Sequence, residues 1–215
     1  MRIKICGITN SEDALMAADL GADALGFIFA KESRRTIMPD DARKIIDSLP
    51  PFVVPVGVFV DSLAEEILST IPQTGIQCVQ LHGNESPEEY AEIKVPIIKA
   101  FRVKTNFQAN ALLQFPAAAY LLDSFVDEVV GGTGKTFDWN AAVAAKACGR
   151  IILAGGLTPD NIADAITQVQ PYGVDVSSGV ESAPGKKDKR KLQQLFAAIH
   201  AVRSEQSDTR EMTNE

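Results

Sequence analysis

Cysteine is scarce in this 215-residue chain: three residues, at 6, 78 and 148. An odd number so widely spaced builds neither a disulfide framework nor a CxxC metal site, and it suits a reducing, cytoplasmic compartment. Positive charge is also short. Lys and Arg number 21 against 28 Asp and Glu, for a net charge of -7, which disfavours a general nucleic-acid or anionic-membrane binder. An anionic ligand would need a dedicated pocket. No apolar run is long enough to span a bilayer, and Arg2, Lys4, Glu12 and Asp13 interrupt any secretory signal core. The dinucleotide fingerprint GxGxxG is missing after the first strand-like run, where the chain reads CGITNS.

What is present is repetition. Short β-like runs recur at RIKIC (2–6), ALGFIF (24–29), VVPVGVFV (53–60), CVQLH (78–82), IIKAF (97–101), AAYLLD (118–123), RIILAG (150–155) and GVDVSS (173–178). Helical patterns separate them: 11–20 with a glycine stop at Gly21, a helix opening at Pro39 and Asp40, and one around Ile67 and Leu68 entered through Asp61-Ser62. A further helix is expected after Ser86-Pro87, and others near 106–115, 138–147, 159–169 and 187–203. Eight strand-helix pairs imply a parallel sheet, because each helix returns the chain to the same end. The size of the repeat favours a single-domain (β/α)8 barrel over residues 1–203, with the doubly wound open sheet as the competitor. The segment 204–215 has almost no apolar residues and is expected to be an unstructured tail.

In such a barrel the carboxyl ends of the strands share one rim and carry the site. The residues that fall there are Cys6, the loop KESRRT with Arg34 and Arg35, Asp61, His82, Arg102, Asp123, Gly155-Gly156 and Asp175 to Gly179. Each admits a plain alternative. Cys6 could be core filling, Asp61 a helix cap, His82 a polar rim residue, and His200 a surface side chain of the last helix. Asp123 ends a short apolar strand, where an unpaired carboxylate is costly to desolvate, as suits a general acid. LAGGLTPDN and DVSSGVE read as loops whose backbone N–H groups approach a phosphate. GGTGKT (131–136) fails the nucleotide P-loop pattern because its first glycine falls on Val129, and it reads as a glycine-rich lid. GKKDKRK (185–191) reads as a solvated helix start.

Taken in order, KICGIT, SRRTI with PDDA, VQLHG, LLDS, GGTGKTFDW, LAGGLTPDN and DVSSGVES with PGKKD resemble the motif set of the phosphoribosylanthranilate isomerases of tryptophan biosynthesis. The resemblance covers the chain up to the tail. It implies an Amadori rearrangement of a small phosphorylated substrate without metal or cofactor, in a monomer or homodimer. It also implies Asp123 as general acid and Cys6 as general base. Arg35 would hold the anthranilate carboxylate, aligned with the family's Ser-x-Arg although Arg34 stands where proline is expected and Thr36 where an aromatic is common. His82 would touch substrate, Gly155, Gly156, Ser178 and Gly179 would hold phosphate, and Asp175 a sugar hydroxyl. Two other readings are a ribulose-phosphate epimerase, expected to use histidine and carboxylate metal ligands, and a non-catalytic phosphate-ligand barrel.

Overall fold

The computed structural model describes residues 1–103, 107–124 and 139–212. Eight parallel strands pair in sequence order and close on themselves: β1 (Arg2–Cys6), β2 (Ala24–Ile28), β3 (Val54–Phe59), β4 (Cys78–Leu81), β5 (Ile97–Val103), β6 (Ala119–Ser124), β7 (Ile151–Ala154) and β8 (Gly173–Val176). Closure is made by β1 against β8, with Arg2 opposite Gly173 and Ile5 opposite Val176. The single-domain (β/α)8 barrel is therefore the architecture, and the open sheet is excluded by that last pairing.

The strands form where β-branched and aliphatic residues run together, buried on both faces. Alternate residues point opposite ways. On β1, Ile3 and Ile5 enter the layer between sheet and helices, where Leu25, Phe27, Leu122 and Leu153 are also fully buried. Burial of each such side chain contributes about 1.5–3 kcal/mol. The inward set is smaller: Val56, Ile98, Ala100, Ala119, Leu121, Ile152 and Ala154 fill the barrel's middle.

The helices are α1 (Ser11–Asp19), α2 (Pro39–Ile46), α3 (Ala64–Thr74), α4 (Trp139–Ala145), α5 (Ile162–Val169) and α6 (Lys189–Met212). Asn10 caps α1 by accepting from the Asp13 amide at 2.8 Å. Two expected helices are single or double 3-10 turns instead, Glu88–Tyr90 after β4 and Ala109–Gln114 after β5. The first lies between Pro87 and Pro96, which leave little chain for an α-helix. Its Tyr90 is buried and donates to the Ser62 carbonyl at 2.7 Å, so tertiary contacts fix the turn. The second stops before Pro116, with Leu112 its one fully buried anchor among the described residues.

At the other end, α6 buries Leu192, Leu195, Phe196, Ile199 and Val202. Its backbone then stays helical to Met212, where the sequence reading expects an unstructured tail from 204. Glu, Gln, Arg and Met have high helix propensity and extend an established helix readily.

Candidate active site

The strand ends enclose a cavity of about 320 Å³. The residues that the family resemblance assigns to the site all line it: Cys6, Arg35, His82, Asp123, Gly155, Gly156, Asp175, Ser178 and Gly179. Ser177, within the Asp175 to Gly179 run, lines it too, as does Gln80, which was not singled out from sequence. Arg34 is exposed and outside the lining, as are Arg102 and Asp61. GGTGKT lies outside the described residues.

Cys6 ends β1 with 6% of its surface exposed. Burial pushes its thiol above the ordinary value, and Asp175 adds to that, while the Lys4 and Lys187 ammonium groups pull it back. The next residue, Gly7, has φ +77°, and a Cβ there would lie 2.6 Å from Cδ of Arg35. Only glycine lets the arginine cross the end of β1 so closely.

Arg35 is gripped by Glu181. Its Nε donates at 2.8 and 3.1 Å and its Nη2 at 2.7 Å, a two-pronged pair that fixes the plane of the guanidinium. Lys187 Nζ donates to the same carboxylate at 2.9 Å and to the Cys6 carbonyl at 2.6 Å. Burial would raise the Glu181 carboxyl, but the hydrogen bonds from Arg35 and Lys187 outweigh it and hold the group below its ordinary value. Lys187 is 4% exposed, which corrects the reading of GKKDKRK as a wholly solvated helix start. Lys187 belongs to a short hairpin, β9 (Glu181–Ala183) with β10 (Lys186–Lys187), folded against the β1 end.

Across the cavity, His82 Nε2 lies 3.2 Å from Asp123 Oδ2. Its Nδ1 is 3.0 Å from Gln80 Nε2, and Gln80 is buried. With Gln80 donating to Nδ1, the neutral imidazole carries its proton on Nε2 and donates it to Asp123. His82 therefore faces Asp123, in addition to lining the cavity.

The loops after β7 and β8 supply backbone. Gly155 and Gly156 have φ +82° and +62°, and nothing lies within 4 Å of where a Gly156 Cβ would stand. Asn161 braces this turn by donating to the Gly156 carbonyl at 2.9 Å and accepting from the Thr158 amide at 2.8 Å. A Cβ on Gly179 would run into the Leu157 carbonyl, so the two loops touch through glycine. Asp175 uses Oδ2 on Lys4, and its buried Oδ1 has no partner among the described residues.

Asp61 does neither thing proposed for it. The residue before α3 is Leu63, without a side-chain cap, and Asp61 instead accepts from the Asn84 amide at 2.6 Å. Its backbone has φ +46° and its amide donates to Glu85, itself paired with Lys99 at 2.7 Å in the interior. This cluster ties the β3 and β4 loops together.

The family model described as N-(5'phosphoribosyl)anthranilate (PRA) isomerase matches residues 3–198. The chain belongs to that family. A relative named N-(5'-phosphoribosyl)anthranilate isomerase, from Citrifermentans bemidjiense, is 52% identical over 94% of this chain and 98% of its own. A solved phosphoribosyl anthranilate isomerase in complex with reduced 1-(o-carboxyphenylamino)-1-deoxyribulose 5-phosphate is 41% identical, with a TM-score of 0.82, covering 94% of this chain and 99% of that one. Monomers generated from the dimeric Thermotoga maritima isomerase are 40% identical, with a TM-score of 0.79 over 92% and 97%. The phosphoribosylanthranilate isomerase family acts in tryptophan biosynthesis, and this chain is an isomerase of that kind. The epimerase and non-catalytic readings fall with that assignment.

Proposed function

We propose that Asp123 and Cys6 perform the rearrangement of N-(5-phosphoribosyl)anthranilate as an acid and base pair. Asp123 gives its proton to the furanose ring oxygen. The C1–O bond breaks as the anthranilate nitrogen lone pair forms the C1–N iminium, and the chain opens. Cys6 thiolate then takes the proton from C2, and the C–H electrons form the C1–C2 double bond while the iminium nitrogen recovers its pair. Protonation of this enolamine at C1 and loss of the C2 hydroxyl proton give the ketone, so the product is an isomer of the substrate. The iminium both acidifies C2–H and favours a nearby thiolate.

One observation carries the reading: Cys6 of β1 and Asp123 of β6 line one cavity together with Gly155-Gly156 and Ser178-Gly179 of the loops after β7 and β8. Arg35 lies beside Cys6 to receive the anthranilate carboxylate, and the glycine loops take the phosphate. The free Oδ1 of Asp175 is placed to accept from a sugar hydroxyl. Loss of anthranilate-type fluorescence from freshly generated substrate tests the pair. Wild type should accelerate it strongly, and Cys6→Ala and Asp123→Asn, both checked for folding, should each lose about 100-fold or more. Equal rates in all three would discard the mechanism.

We also infer a homodimer joined through the opposite end of the barrel. Phe52 is 94% exposed there, beside a cavity of about 610 Å³ lined by Val54, Val56, Ile98, Ile152 and Tyr172. Three free cysteines accord with a cytoplasmic location, and among the described residues no helix is long and apolar enough to cross a membrane.

A further inference from the structure

The barrel interior beneath the cavity is built of small and aliphatic side chains, among them Ala100, Leu121 and Ile152. Lys4 stands among them with 4% of its surface exposed. It precedes Cys6 by two positions on β1, so strand alternation turns both side chains inward. Its ammonium donates to Asp175 Oδ2 at 2.9 Å across the β1–β8 seam.

Gly26 of β2 is in register with Cys6. A Cβ on Gly26 would lie 2.7 Å from Cys6 Sγ and 3.1 Å from Lys4 Nζ, so sulfur and ammonium are neighbours over the space that this glycine leaves. Desolvating two ions is expensive, and an apolar pair of similar volume is often as stable. Stability alone therefore gives no reason to keep a charged pair at this depth, whereas its place under the sulfur does.

We propose that Lys4 is a positioning residue for the reaction: held by Asp175, its ammonium stands under Cys6 and stabilises the thiolate that removes the C2 proton. The proposal rests on the reading of Cys6 as the base. The charges balance across the step. Before proton transfer, one cation faces two anions, Asp175 and the sulfur. Afterwards the sulfur is neutral and Lys4 remains paired with Asp175 alone.

The other charged groups around Cys6 have different engagements. Lys187 from β10 is committed to Glu181 and to the Cys6 and Ser177 carbonyls, and Arg35 from the loop after β2 is committed to Glu181. Asp123 and His82, on β6 and after β4, are paired with each other. Burial and Asp175 raise the thiol, and Lys4 is the largest influence opposing them.

The test is Lys4→Met, read by the pH dependence of iodoacetamide alkylation at Cys6, resolved from Cys78 and Cys148 by mass spectrometry, together with the pH profile of kcat. The alkylation midpoint should move up by about one pH unit, and kcat at neutral pH should fall about tenfold and recover on the alkaline side, with KM little changed. A merely structural lysine would leave both profiles where they are, and that result in a folded variant overturns the proposal. Should Lys4→Met not fold because Asp175 is left unpaired, Lys4→Met with Asp175→Asn removes both charges. In that variant, a Cys6 midpoint equal to that of Asp175→Asn alone overturns the proposal, and a higher one supports it. Cys6→Ala separates the two ideas: full activity in it removes the base and the proposal with it, whereas an inactive Cys6→Ala beside unshifted Lys4→Met profiles removes only the role of Lys4.

Discussion

A single carboxylate, Glu181, fixes the guanidinium of Arg35 on the cavity wall. Its oxygens occupy Nε and one edge of the Arg35 guanidinium, so the arginine meets a ligand with its plane already fixed. Glu181→Gln should raise KM about tenfold with kcat little changed, because orientation is lost and the acid-base pair is not touched. It should also cost about 3 kcal/mol of stability, since Lys187 is left buried without its counter-charge. The pH sign follows from the depressed carboxyl. Its stabilisation is complete above the ordinary value of 4.5 and is lost as pH falls through the lower folded-state value. Thermal melts below pH 4.5 should therefore fall more steeply in wild type than in Glu181→Gln. At this scale the sequence was informative about type and silent about pairing. Cys6, Asp123 and the glycines were legible because strand ends share a rim. Lys4 was legible in principle, as a lysine two positions from Cys6 on a strand. Glu181 and Lys187 act through partners up to 181 residues away, and no local pattern records that.

The loops after β7 and β8, proposed to take the phosphate, are held together where Gly179 lies against the Leu157 carbonyl. Gly179→Ala must push them apart, at about 1–3 kcal/mol, measured by denaturant midpoint, and KM should rise with it. Element boundaries in the strands follow the sequence closely: RIKIC is β1 residue for residue, and the others differ at their ends by one or two positions. Their signal is a run of buried aliphatics, which survives any tertiary context. The segments after β4 and β5 were harder. Glu88–Tyr90 has residues that tolerate a helix, but the prolines on either side and the Tyr90 bond to Ser62 decide its form. Asp61 misled for a similar reason, since a good capping residue was taken up by the Asn84 amide of the next loop.

For the whole molecule, the cavity that holds Cys6 and Asp123 and the proposed association face around Phe52 lie at opposite ends of one barrel. Phe52→Ser should lower the molar mass in solution from dimer to monomer by light scattering, with kcat retained. A dimer that persists would move the interface elsewhere. The fold class was legible from eight repeats alone, and the motif order then narrowed it to one enzyme family. The proposed association face was not legible, because an exposed phenylalanine in a loop reads like any other until the barrel mouth beside it is seen.

The β1–β8 seam has a consequence in time. Lys4 is made 171 residues before its partner Asp175, and Cys6 181 residues before Lys187. Until β8 docks, the cysteine stands on a strand paired on its β2 side alone, with neither the ion pair beneath it nor the arginine clamp beside it. The chemistry proposed for the first strand thus waits on β8, and a chain cut short before β8 carries the sulfur without the surroundings proposed to make it a base.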